Sequence, residues 1–218
     1  MKAAAEKAVR CLEEKYPDAV CSLTYKTAFE LLIATRLSAQ CKDLTVNLVT
    51  PELFLKYPDP KSLAEAGVAD VERIIHRCGL SNTKARDLVG IGKMLCENYG
   101  GKVPDTIDEL VRLPGVGRKT ANLIVGDIYG QPAVVTDTHF IRLCNRFGFV
   151  KTEDPLKVER EMRELLPPQH SNGFCHRAVL LGREICTSKK AMCDCCPLSE
   201  ICEKHIDYRK KVKGKGEK

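Results

Sequence analysis

No apolar run in this chain approaches the roughly 20 residues that a membrane span requires, and the opening Met1-Lys2-Ala3-Ala4-Ala5-Glu6-Lys7 lacks the apolar core of a secretory leader. Alternating β-branched runs bounded by hairpin turns are missing as well, which excludes a sheet protein and leaves an all-α chain. No internal repeat is long enough to suggest a solenoid. What remains is ordinary globular material: 218 residues, 44% of them hydrophobic, enough for one large domain or two small ones. A disulfide framework is also absent. Seven cysteines (Cys11, Cys21, Cys41, Cys78, Cys96, Cys144 and Cys175) are scattered without pattern, as small buried hydrophobes would be. With no leader, this predicts a reducing, intracellular compartment. The net charge is +6, and seven of the last fifteen residues are Lys or Arg, a tail that suits a polyanionic partner.

Helix signals recur along the chain. Thr27 and Glu30 form a capping-box pair ahead of an apolar helix through Leu31, Leu32, Ile33 and Leu37, and Thr106 with Glu109 repeats the device. Asp59-Pro60 and Asp154-Pro155 each set a cap residue before a proline at the first helical position, and Gly67, Gly130 and Gly148 read as helix stops. Pro51 is expected to break the segment from Asp43 to Tyr57, with Thr50 capping a second helix. About ten short helices result.

The other five cysteines lie close together. Cys186, Cys193, Cys196 and Cys202 follow a 6-2-5 spacing, so four thiolates fall within seventeen residues and can surround one metal centre. Structural zinc usually draws its thiolates from two tight knuckles, and only one tight pair is present here. The longer arms suit a four-iron, four-sulfur (4Fe-4S) cluster, with zinc as the alternative. Cys195 adjoins Cys196; the ligand is assigned to Cys196 because it keeps the two-residue step from Cys193.

Between two predicted helices lies Leu113-Pro114-Gly115-Val116-Gly117-Arg118-Lys119-Thr120. Gly115 and Gly117 let the backbone approach a ligand, and the amides that open the next helix, with Arg118 or Lys119, make an anion site able to hold a phosphate without reading a base. An ordinary helix-to-helix turn is the plainer reading. Farther on, Asp137-Thr138-His139 puts a carboxylate at a helix start. It can cap that helix and also remain ionised to stabilise a cation or take a proton. Lys119 needs the opposite treatment: its amine attacks carbon only when burial, a neighbouring cation or a helix N-terminus favours the neutral form.

Together, Leu113 to Ala121, Asp137-Thr138-His139 and the 6-2-5 cysteines resemble the endonuclease III family of DNA glycosylases. The resemblance runs from Phe29-Glu30-Leu31-Leu32-Ile33-Ala34 and Leu37-Ser38-Ala39-Gln40 through Gly182-Arg183 to Cys202. It implies a two-domain helix-hairpin-helix fold, with a six-helix barrel over 22–131 and a cluster domain made of 1–21 and 132–218. The substrate is expected in the groove between them. It implies Lys119 as the Schiff-base nucleophile, Asp137 as its partner, and a 4Fe-4S cluster on Cys186, Cys193, Cys196 and Cys202. Gln40 is similar to the glutamine that fills the space left by an extruded nucleotide, and Leu80 to a residue that wedges beside the unpaired base. The implied activity is a bifunctional glycosylase and AP lyase that acts, as a monomer, on double-stranded DNA carrying oxidised or ring-saturated pyrimidines. The pinned loop between Cys186 and Cys193 offers Lys189 and Lys190 as a phosphate clamp. Thr136, Cys41-Lys42 and the additional Cys195 depart from the family pattern and leave the damage preference open. A mismatch glycosylase of the same fold and a non-enzymatic DNA-binding iron-sulfur protein are the alternatives; Lys119 weighs against the first, and the second predicts no covalent intermediate.

Overall fold

The computed structural model describes residues 1–206, so most of the basic C-terminal tail lies outside the described residues. Those residues form eleven α-helices, a further helical stretch over 203–206, three short 3-10 turns and no strand. The only β pairing described is one isolated bridge, between Cys186 and Ala191. None of these helices is long and apolar enough to cross a membrane.

The chain divides into two compact units, one spanning Cys21–Gly130 and the other joining Met1–Val20 to the segment from Gln131 onward. The first holds α2 (Ala28–Leu37), α3 (Asp43–Lys56), α4 (Pro60–Ala64), α5 (Val68–Ile75), α6 (Ser81–Tyr99), α7 (Ile107–Leu110) and α8 (Arg118–Asp127). The second holds α1 (Lys2–Lys15), α9 (Thr138–Phe147), α10 (Pro155–Leu165) and α11 (Ser171–Glu184).

The caps agree closely with the sequence. Thr27, Thr106, Asp137 and Asp154 each accept a backbone N–H of the first turn that they precede, and Asp59 with Ser62 makes a reciprocal capping box. Glu30 turns its carboxylate to the Lys26 amide at 2.6 Å, so the Thr27 box is not closed on its own N-cap amide. Gly130 and Gly148 take the left-handed conformation expected of helix stops.

Two expectations are corrected. Pro51 does not break its segment: α3 runs unbroken from Asp43 to Lys56, and Thr50 is buried inside it, not capping a second helix. A proline in a helix interior costs about 3 kcal/mol. Here Val46, Val49 and Leu53 are buried along one face of α3, and that packing keeps the helix in register through the single lost bond. Gly67 also does not end a helix. Its φ of −69° is extended, and it stands as the N-cap of α5, α4 having closed at Ala64.

In the Cys21–Gly130 unit, α4 and α5 pack on α6, and α2 packs on α8. The approach of α4 to α6 depends on Gly92, since a Cβ there would lie 2.7 Å from the Ala64 nitrogen and 2.8 Å from the Pro60 carbonyl oxygen. Both neighbours are backbone and cannot swing aside. Gly92→Ala would gain about 1 kcal/mol of helix propensity but incur overpacking of roughly 1–3 kcal/mol or more. The clash should win. A thermal melt is expected to show a lower Tm by a few degrees, and an unchanged or raised Tm would contradict this packing.

Candidate active site and cysteine centre

In the Cys21–Gly130 unit, the segment between α7 and α8 is a tight turn anchored by buried Leu113 and Val116, with the Val116 amide donating to the Leu113 carbonyl at 3.1 Å. Gly115 has φ +66°, and a Cβ on it would collide with the Arg36 guanidinium and the Asp87 carboxylate. Those two groups form an ion pair between α2 and α6, with Arg36 Nε donating to Asp87 Oδ2 at 2.9 Å and both side chains mostly buried. The turn therefore rests directly on a charged pair that only a glycine can approach.

Gly117 is the N-cap of α8 and supplies no side chain to its first amides. A helix start has unpaired N–H groups and a partial positive charge, so this one is arranged to receive an anion. Gly115, Gly117, Arg118 and Lys119 are all exposed around it. Lys119 is the second residue of α8. Burial, one of the conditions that would favour a neutral amine, is thus not met; the helix N-terminus and Arg118 are the two that stand beside it.

Gln40 and Leu80 belong to the same unit, and they share a peculiarity. Among the described residues they are the only non-glycine positions with positive φ, 53° and 47°. Leu80 is 62% exposed, so it is not a core residue, and Gln40 is exposed just beyond the end of α2.

The second unit carries Asp137. Its Oδ1 accepts from the Phe140 amide at 2.7 Å, making it the N-cap of α9, and its other oxygen has no hydrogen-bond partner among the described residues. The side chain is half-buried. A carboxylate held by a helix start with one oxygen uncommitted can cap and still take a proton or face a cation.

From α9 the structure leads to the cysteines through two residues that sequence reasoning did not single out. Arg142 Nη2 donates to the carbonyls of Gly182 and Cys186, both at 3.0 Å. Arg146 Nη1 donates to Cys186 Sγ at 3.1 Å and to the Thr187 carbonyl at 2.8 Å. Their spacing of four along α9 is visible in the sequence, but nothing there names partners some forty residues on. Thr187 Oγ1 closes the loop by accepting from the Lys190 amide at 3.0 Å, and Lys189 and Lys190 are exposed on it.

Cys186, Cys193, Cys196 and Cys202 line one cavity with Phe147, Ile185 and His205. Cys195 does not line it and is exposed, its thiol turned to the Met192 carbonyl. Burial pushes the Cys196 thiol up to about 11, and the facing Cys186, Cys202 and Cys193 add to the effect. Cys202 is raised for the same reasons. Bare thiolates are thus penalised where a positively charged centre would be favoured. No three His, Cys, Asp or Glu side chains among the described residues converge closely enough to hold a single ion. Four thiols lining one cavity are a donor set of the kind that zinc or an iron-sulfur cluster uses. His205, which the sequence did not point to, is buried there with neither ring nitrogen hydrogen-bonded among the described residues.

Residues 33–168 match the HhH-GPD superfamily of base excision DNA repair proteins. The chain is 42% identical to endonuclease III of Synechocystis sp., over 88% of each chain. It belongs to the endonuclease III family. Endonuclease III of Bacillus subtilis is 39% identical, over 88% of this chain and 90% of its own. Among solved structures, a trapped endonuclease III-DNA covalent intermediate is similar with a TM-score of 0.88 and 38% identity, covering 96% of this chain and 99% of that one. The helix-hairpin-helix fold expected of the turn at Leu113 to Gly117 is that of the family.

The cysteine geometry makes a direct prediction. Metal held at this cavity should be largely lost in Cys196→Ser and kept in Cys195→Ser, as elemental analysis and visible absorption of the purified variants would show. The reverse pattern would reassign the ligand to Cys195.

Proposed function

We infer that the activity of this chain is that of its family: it is a bifunctional DNA glycosylase and AP lyase of base excision repair. The observation that carries the reading is the exposed Lys119 at the amide-rich start of α8, in a chain similar along nearly its whole length to a protein trapped covalently on DNA. Its substrates are oxidised or ring-saturated pyrimidines in double-stranded DNA. It works as a monomer inside the cell, in the cytoplasm or nucleoid of a prokaryote or the nucleus or mitochondrion of a eukaryote.

The anomeric carbon of a stacked nucleotide is shielded, so the damaged nucleotide must first leave the duplex, which costs least where pairing is already weakened. Gln40 and Leu80, exposed at their turns, fill the space it vacates. The α8 amides with Gly115, Gly117 and Arg118 hold a backbone phosphate, and Lys189 and Lys190 clamp a further stretch of backbone. These contacts position the strand without reading its sequence.

The neutral amine of Lys119 then attacks C1′, and the bond from C1′ to the base breaks, the base leaving with a proton. Asp137 stabilises the positive charge that develops on the sugar and accepts the proton released from the attacking nitrogen. Opening of the sugar ring gives an imine that acidifies the C2′ hydrogen. Its removal expels the 3′ phosphate by β-elimination and cuts the strand. Hydrolysis of the imine returns Lys119.

Cys186, Cys193, Cys196 and Cys202 hold a 4Fe-4S cluster. When bound it supplies a structural centre that fixes the loop carrying Lys189 and Lys190. Arg146 secures the same loop by donating to Cys186 Sγ and the Thr187 carbonyl.

Lys119→Gln should abolish strand cleavage at a lesion while leaving duplex affinity largely intact, because one phosphate-facing charge contributes only part of the binding. Asp137→Asn keeps the cap, since Asn and Asp are comparable there, but should lower turnover by about 10²-fold or more. Gel assays with lesion-bearing duplexes and thermal melts check both. Cleavage that survives in Lys119→Gln, or full turnover in Asp137→Asn, would remove the corresponding role.

A further inference from the structure

Among the described residues, one of the large side chains with no exposure is a lysine. Lys84 is 0% exposed, although lysines are almost never fully buried without a partner. Its ammonium donates to two backbone carbonyls, Leu37 and Cys78, each at 2.8 Å. The other charged or titratable groups bearing on it are the thiols of Cys41 and Cys78 and the guanidinium of Arg36, with no carboxylate among them.

The two carbonyls are not arbitrary. Leu37 is the last residue of α2, where the helix dipole favours a cation. Cys78 ends the 3-10 turn His76–Cys78. The chain leaves Leu37 through Ser38 and Ala39 to Gln40, and leaves Cys78 through Gly79 to Leu80. These tips are the two left-handed non-glycine residues among those described, and both are exposed. The Lys84 amide also donates to the Leu80 carbonyl at 3.0 Å. One residue thus grips the base of both tips and the tip of one. A buried methionine or leucine would fill the same volume but leave two carbonyls unpaired. A side chain in a sparsely populated backbone conformation persists only where its surroundings impose it, and such residues cluster at functional clamps.

We propose that Lys84 is a positioning residue for base extrusion, its buried ammonium locking the turns of Gln40 and Leu80 to one another so that the two side chains meet the duplex as a preformed pair. The proposal rests on the reading of Gln40 and Leu80 as the residues that fill the opened stack. Lys84 touches no DNA and takes no part in bond breaking. Its contribution is confined to substrates that must be opened.

The test uses the full-length protein and two substrates: a duplex with one lesion, carrying 2-aminopurine opposite it, and a single strand with a preformed abasic site, where nothing has to be extruded. Lys84→Met should slow both the fluorescence rise on unstacking and single-turnover excision from the duplex by about 10-fold or more, since small misplacements of positioning groups cost that much. β-Elimination on the single strand should change less than about 2-fold. Equal losses on both substrates, or no loss on the duplex, would overturn the proposal. Gln40→Ala and Leu80→Ala run alongside. If neither slows the duplex selectively, the reading of those two residues fails; if they do and Lys84→Met does not, only the role of Lys84 fails. Adding Lys84→Met to the Gln40→Ala, Leu80→Ala double variant should cost little further on the duplex, as residues acting through one another are not additive. A full additional loss would mean a general structural role. Should the methionine variant not fold, Lys84→Gln, which keeps a donor, is judged by the same contrast. Failure of that variant to fold as well would assign Lys84 to stability and overturn the proposal.

Discussion

Gly115 can succeed Pro114 in a left-handed turn only because no side chain stands between its backbone and the Arg36–Asp87 pair. Several elements of the Cys21–Gly130 unit depend on that contact. The pair joins α2 to α6, the turn sits on the pair, and α8 leaves the turn with a glycine N-cap. The direction of α8, and with it the setting of Lys119 on its first turn, is thereby set by elements far away in sequence. An exposed lysine on a mobile loop would have to be ordered by substrate. On a helix start held by an ion pair and by buried Leu113 and Val116, most of that ordering precedes binding, which is where preorganised sites gain their advantage.

The other unit applies the same economy to a single helix. α9 begins at Asp137, whose carboxylate caps it, and near its far end Arg142 and Arg146 grip the carbonyl and sulfur of Cys186. One rigid element thus carries both the proposed acid-base group and the fastening of the cysteine loop. The loop is tied again by Thr187 to Lys190. The two lysines it displays are set by several independent bonds, and the cysteines are one part of that fastening.

Local chemistry is the most legible part of the sequence. Caps are decided within four residues, so Thr27, Asp59, Thr106, Asp137 and Asp154 can be read directly, as can the glycine turn and the cysteine spacing. Pro51 misleads because its cost is local while the packing of Val46, Val49 and Leu53 that overrides it is tertiary. Gly67 misleads because a glycine between two short helices can close one or open the next. Lys84 and His205 are invisible for a different reason: a charged residue in a helical or terminal stretch reads as solvated, and burial against carbonyls or thiols distant in sequence leaves no periodic trace. Arg142 and Arg146 sit in plain view on α9, yet their partners lie about forty residues away.

The central claim is that the amine of Lys119 is the one that bonds to the sugar. Reducing the reacting complex with borohydride, digesting the adduct and locating the modified residue by tandem mass spectrometry tests it without altering the protein. The account predicts that the sugar remnant is carried by Lys119, in the peptide just beyond the Gly115 turn. An adduct found on another lysine or on the N-terminal amine, with Lys119 unmodified, would contradict it.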